Sequence, residues 1–251
     1  MDEGSTPSIS TKRNKPLIFS GLFNYYIMQD TKRICYMILP EGIKKELSDG
    51  LARLSEQYGI SIVVIEDVDW NDDLTPWPAA GVFRKAKPFG GQAQRFLEKL
   101  TTQILPETER KLGITNPERT LLGVSLSGLF TLWAGYQTDA FAHLISISGS
   151  LWYDGFTEWM AEQKLSESIS SVCLLLGDRE KNSKEKRMAT VEEKTRAAAN
   201  ILAAQYSGNV DFELVEGTHF SPILPRIERS VEKTIMMDYQ DTDETNAIPR
   251  P

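Results

Sequence analysis

Apolar residues along the chain fall into short runs separated by stretches of helical periodicity. β-rich runs occupy Pro16 to Phe23, Ile34 to Leu39, Ser61 to Glu66, Thr120 to Val124, His143 to Ile147, Val172 to Leu176 and Val210 to Val215. Between them, helical patterns cover Ile43 to Tyr58, Gln92 to Leu112, Leu126 to Gln137, Thr157 to Gln163, Thr190 to Tyr206 and Ile223 to Ile235. In the second helix Phe96, Leu100 and Ile104 recur every four residues and line one face. The strands are apolar almost throughout, which is the pattern of a parallel sheet covered by helices on both sides. Right-handed crossovers then favour a doubly wound α/β sheet, whose ligand site lies beyond the C-terminal ends of the strands.

That rule selects among candidate side chains, because each must follow a strand. The segment Thr120 to Tyr136 runs from an apolar strand straight into a helix through Gly123-Val124-Ser125-Leu126-Ser127-Gly128. Such a turn lifts a serine hydroxyl above the sheet edge, with amides of the new helix facing a developing oxyanion. Only small side chains fit two positions either side of the nucleophile. Around Ser125 these are Gly123 and Ser127; around Ser127 one would be Leu129, so Ser125 is the candidate and Ser127 stands where glycine is usual.

The chain has two histidines. His143 stands at the start of its strand, at the wrong pole, and reads as structural. His219 follows the last strand and falls on the rim of Ser125. The carboxylate that orients it is expected from the strand end between them, where Gly177-Asp178-Arg179-Glu180 offers two acids. Glu180, three residues past the glycine, is preferred over Asp178, with a Ser-His pair lacking any acid as the remaining reading. The oxyanion donors are expected to be the Leu126 amide and, from the loop after Ser61 to Glu66, the Asp67 amide.

The same loop begins Asp67-Val68-Asp69-Trp70-Asn71-Asp72-Asp73, similar to a calcium loop. Asp72 replaces the required glycine and Pro78 the bidentate glutamate, so these acids are read as turn caps and solvated groups, and no metal or cofactor is expected. Trp70 and Trp77 here, and Trp152 with Tyr153 after the strand at 143–147, are candidates for a substrate wall, Trp70 and Trp152 foremost. Trp133, on the helix after the serine, is expected to face the sheet.

Composition narrows the partners. The net charge is -7 over 251 residues, which excludes an extended surface for nucleic acid or anionic membrane. The dense basic run Lys181 to Arg187 alternates with polar residues and reads as a solvated loop. Cys35 and Cys173 sit inside strands as small apolar groups. The ends, 1–15 and 237–251, lack periodicity and are expected to be disordered tails around one domain at 16–236. No basic start with an apolar segment and no membrane-length apolar run is present, making a cytoplasmic protein the expectation, its oligomeric state open.

The segments from Gly123 to Phe141, Ile147 to Phe156, Leu174 to Lys181 with Arg187 to Thr195 behind it, and Glu216 to Phe220 resemble the putative-esterase family of α/β-hydrolases, a group that includes esterase D-like enzymes and siderophore esterases. The resemblance spans about Ile34 to Ile235. It implies an α/β-hydrolase fold, a small-molecule ester substrate, Ser125 as nucleophile, His219 as general base and the acid at the Gly177 to Glu180 turn. A catalytically silent scaffold that binds a ligand or partner, and a thioesterase or peptidase, are the competing expectations.

Overall fold

The computed structural model describes residues 17–19, 24–28, 31–83 and 85–245. In chain order its elements are β1 (Leu17–Phe19), β2 (Asn24–Ile27), β3 (Arg33–Ile38), α1 (Lys44–Tyr58), β4 (Ser61–Ile65), β5 (Pro78–Ala79), β6 (Phe89–Gly90), α2 (Ala93–Lys99), α3 (Leu105–Leu112), β7 (Glu118–Val124), α4 (Leu126–Gly135), β8 (His143–Ile147), α5 (Phe156–Glu162), β9 (Ser171–Gly177), α6 (Lys186–Ala189), α7 (Val191–Gln205), β10 (Asn209–Val215) and α8 (Leu224–Thr245). Eight strands form one sheet in the order β1-β2-β4-β3-β7-β8-β9-β10, and β5 and β6 make a separate ribbon. The six strands from β4 to β10 pair in parallel; β1 and β2 are antiparallel additions at one edge.

Alternate residues of each central strand feed opposite cores, as the two-residue period of a strand requires. Tyr36, Ile38, Val63 and Leu121 pack with Phe96, Leu100, Ile104 and Phe130 on one face. Met37, Val64, Leu122 and Ile145 pack with Leu47 and Leu51 of α1 and Ile227 and Val231 of α8 on the other. Both cysteines are buried and free, and burial pushes both thiols up.

Several boundaries differ from the sequence reading. The single strand expected over Pro16 to Phe23 is the short β1, and β2 follows it as an unanticipated partner. The helix expected over Gln92 to Leu112 is interrupted at Leu100–Ile104 by a π turn, in which the Leu105 amide reaches back to the Leu100 carbonyl. Pro106 supplies the reason: it has no N–H and its ring crowds the carbonyl four residues earlier, and the wider turn makes room. The solvated loop expected at Lys181 to Arg187 is a 3-10 turn at Glu180–Asn182 followed by α6. Arg187 there is packed, lying over the Trp152 ring at 5.3 Å and donating to the Ala80 carbonyl at 3.0 Å. The last helix continues to Thr245, into the stretch expected to be a tail, while 1–15 and 246–251 lie outside the described residues.

The strand register sets one rim of the sheet. Ile38 is level with Gly123, Val124 with Ile147, Ile147 with Leu175, and Gly177 with Val215. The loops that follow β3, β7, β8, β9 and β10 therefore emerge side by side.

Candidate active site

Ser125 lies between β7 and α4 with φ 61° and ψ -120°, a conformation that non-glycine residues rarely adopt. Its surroundings hold it there. The Ser125 amide donates to the Ile147 carbonyl at 3.0 Å, and its carbonyl accepts from the Ser150 and Leu129 amides. At Gly123 a Cβ would come 2.0 Å from the Ser127 carbonyl oxygen, so no larger residue fits without moving the turn. Ser127, expected only as a stand-in for glycine, is a fastener. Its buried hydroxyl accepts from the Val124 amide at 2.7 Å and donates toward the Ile38 carbonyl at 2.7 Å, tying the turn to the neighbouring strand. Leu126 opens α4, so its amide is among those left without an intrahelical acceptor.

His219 and Glu180 meet Ser125 from two other loops. His219 Nε2 is 3.1 Å from Ser125 Oγ, and its Nδ1 is 2.8 Å from Glu180 Oε2. Glu180 is buried, and its second oxygen accepts from Ser148 Oγ at 2.6 Å, the Gly177 amide at 2.9 Å and Arg226 Nη1 at 3.0 Å. Burial alone would raise its pKa. The hydrogen bonds from His219, Ser148 and Gly177 and the charge of His219 outweigh that, and the carboxyl is held below its ordinary value. Arg226 is buried as well, and its other nitrogen donates to the Thr218 carbonyl at 2.8 Å, so one guanidinium braces both the acid and the loop bearing the imidazole. Asp178, the competing acid, instead accepts from the Gly217 amide at 2.9 Å and shapes that loop.

The Ser148 and Arg226 contacts were not expected. Each joins residues 32 and 46 positions from Glu180, and only the register of β8 against β9 and the packing of α8 bring them together.

Ser125 opens onto a cleft of about 780 Å³ whose walls include Leu39, Pro40, Ile43, Leu47, Trp70 and Phe220. Glu41, Glu46 and Glu66 also stand on it. A pocket of about 270 Å³ lies across His219, with Trp152 and Met188 among its walls. Trp70 borders the larger cavity and Trp152 the smaller one. Trp77 packs instead with Tyr153, Phe156 and Trp159, Tyr153 also meets Phe89, and Trp77 Nε1 donates to the Asp154 carbonyl at 3.0 Å. Trp133 is buried against Phe130.

The expected placement of Asp67 as an oxyanion donor needs correction. The strand beside β7 is β3, and β4 lies one strand farther out. The loop facing Ser125 is therefore 39–43, whereas Asp67 follows β4, is exposed, and has its carboxylate 3.9 Å from Lys99. The acids of the calcium-like stretch behave as turn and ion-pair groups. Lys87 Nζ contacts Asp69 at 3.1 Å and Asp72 at 3.3 Å, Arg95 contacts Asp73, and Asp69 accepts from the Asn71 and Asp72 amides. Among the described residues no group of three or more His, Cys, Asp or Glu could hold a metal ion, and no helix is long and apolar enough to cross a membrane.

A mostly parallel sheet with a serine on a left-handed turn after β7, an acid after β9 and a histidine after β10 is the α/β-hydrolase fold. Solved structures share it. An IroE-like serine hydrolase from Shewanella oneidensis superposes with a TM-score of 0.67 at 17% identity, over 84% of this chain and 74% of the other. The siderophore hydrolase EstA from Aspergillus nidulans gives a TM-score of 0.65 at 17% identity, over 95% and 99%. An uncharacterized protein of Bacillus subtilis (strain 168), YbbA, is 30% identical over 144 residues, which span 56% of this chain and 58% of that protein. The family model described as "Putative esterase" matches residues 19–221, and the chain belongs to that family.

Proposed function

We propose that this protein is a carboxylic ester hydrolase that works through an acyl-enzyme on Ser125, with no organic cofactor or metal taking part. The observation that carries the reading is the continuous contact Ser125 Oγ to His219 Nε2, and His219 Nδ1 to Glu180, at the mouth of a cleft. An ionised Glu180 accepts a hydrogen bond from Nδ1–H, which fixes that tautomer and leaves Nε2 with its lone pair toward the serine. His219 then removes the Ser125 proton as the oxygen attacks the ester carbonyl. The tetrahedral oxyanion is held by the Leu126 amide and an amide of the 39–43 loop, Pro40 having none to give. His219 returns its proton to the departing alcohol, and a water activated by the same imidazole releases the acid.

Family membership supports ester chemistry, and the buried Glu180 favours a full triad over a Ser-His pair. The fastening role of Ser127 removes one reason for reading the chain as a silent scaffold. Two of the structural neighbours are named siderophore hydrolases, and a siderophore built with ester bonds would fall within this reading. The test is hydrolysis of short p-nitrophenyl esters by wild type and Ser125→Ala. Turnover by the variant at the wild-type rate would remove Ser125 from the mechanism.

A further inference from the structure

His219 and Phe220 are common walls of both cavities at this site. On one side the cleft of about 780 Å³ is apolar along Leu39, Ile43, Leu47, Val68, Trp70 and Ile223. On the other, the pocket of about 270 Å³ sets Trp152, Met188 and Val191 beside Arg179, Asn182 and Ser183. Phe220 itself is 90% exposed, and its ring stands edge-on to the His219 imidazole at 5.5 Å and 87°. One exposed phenylalanine on a plain surface would mean little. Here the ring packs into neither hydrophobic core, yet it stands on the partition between two cavities, one residue from the imidazole that contacts Ser125.

An ester reaches a nucleophile with two arms diverging from the carbonyl, the acyl chain and the alkoxy group. Two cavities of unequal size, the larger reaching Ser125 and both walled by His219 and Phe220, suit arms of unequal length. We propose, resting on the esterase reading above, that Phe220 divides two substrate subsites. The substrates are then esters with one extended apolar arm, held against Phe220 and Trp70 in the larger cleft, and one short arm in the smaller pocket. Phe220 is the specificity-determining residue, because its ring covers apolar surface of the long arm that water would otherwise meet.

The experiment uses the full chain and two series of neutral esters, methyl esters of increasing acyl length and acetates of increasing alcohol length. Burying each added methylene is expected to raise kcat/KM about fourfold along one series until the cleft is filled. The other series levels off or falls after the first few carbons. Phe220→Ala should lower kcat/KM for the longest good substrate about tenfold more than for methyl acetate, chiefly through KM, with Phe220→Leu recovering most of the loss. Thermal melting of both variants should match wild type, since the ring is exposed. Identical length profiles in the two series, or a Phe220→Ala loss equal for long and short esters, would overturn the division into subsites while leaving the esterase reading intact. No turnover of any ester, with no fluorophosphonate label on Ser125, would overturn the esterase reading and this inference together.

Discussion

The two ends of the sheet each bring a serine, a histidine and a glutamate into contact. At the C-terminal rim, Ser125, His219 and Glu180 are linked by contacts of 3.1 and 2.8 Å. At the opposite end, Ser171 Oγ is 2.8 Å from His143 Nδ1, and His143 Nε2 is 3.4 Å from Glu118. Residue types and distances hardly separate the two sets. Backbone and access do. Ser125 sits on a left-handed turn with the free amides of α4 behind it and the large cleft before it, whereas Ser171 opens β9 in extended conformation and is buried, and the void beside its partners His143 and Glu118 is only about 20 Å³. The acids differ too. Glu180 is buried and braced by Ser148, Gly177 and Arg226, while the side chain of Glu118 is 40% exposed and shared with Arg33. On the mechanism proposed above, hydrogen-bonded Ser, His and Glu act only together with a strained turn, oriented amides and room for a substrate.

The comparison breaks most simply by mutating each serine. Ser125→Ala is expected to lower kcat/KM for short esters by about 10⁴ to 10⁶, and Ser171→Ala to leave it within about threefold. Loss of turnover in both would mean that the far cluster is coupled to the site. Glu180→Gln comes next, with a fall in kcat on the order of 10⁴, since the amide no longer enforces the tautomer. Glu118→Gln, measured in the same assay, should change kcat little.

Stability sharpens the contrast. Arg226→Met leaves the Glu180 carboxylate buried without its cation, and urea melts at neutral pH should show a loss of about 3 to 5 kcal/mol. Because the folded-state pKa of Glu180 lies below its ordinary value, its ionisation contributes stability that is fully present above the usual carboxylate range of about pH 4 to 5. That contribution is lost as pH falls through the folded value. The stability gap between wild type and Glu180→Gln should accordingly be widest near pH 7 and narrow on acidification, which denaturant midpoints across pH 3 to 7 would read. A gap independent of pH would contradict the assignment. At the far end, Ser171→Ala is expected to cost about 1 to 2 kcal/mol through the lost buried hydrogen bond. The smallest effect belongs to Glu41 and Glu46. Their joint replacement by Gln should improve, by a few-fold at low salt only, the turnover of esters whose long arm ends in a carboxylate.

What could be read from the chain follows the range of each interaction. Ser125, its turn and the central strands were legible because Gly123, the apolar run and the helix that follows lie within a few residues of each other. His219 was separable from His143 because a strand's direction tells which of its ends reaches the rim. Strand order is not local in this way, so the sequence points to the loop of Asp67 as the neighbour of Ser125, whereas the sheet sets β3 and its loop beside β7. The bracing of Glu180 by Ser148 and Arg226 and the fastening of Ser127 to Ile38 were hidden for the same reason, since Ser127 and Ile38 stand 89 residues apart. The strand β2 and the β5-β6 ribbon are too short to leave a period in the sequence. The π turn left no trace in the apolar spacing, although Pro106 marked its position.

The most direct measurement is stoichiometric labelling with a fluorophosphonate, mapped by mass spectrometry of the digested protein, on wild type, Ser125→Ala and Ser171→Ala. One label per chain on Ser125, retained in Ser171→Ala and abolished in Ser125→Ala, is the predicted result. A folded wild-type protein that takes no label, or a label that persists in Ser125→Ala, would contradict the account.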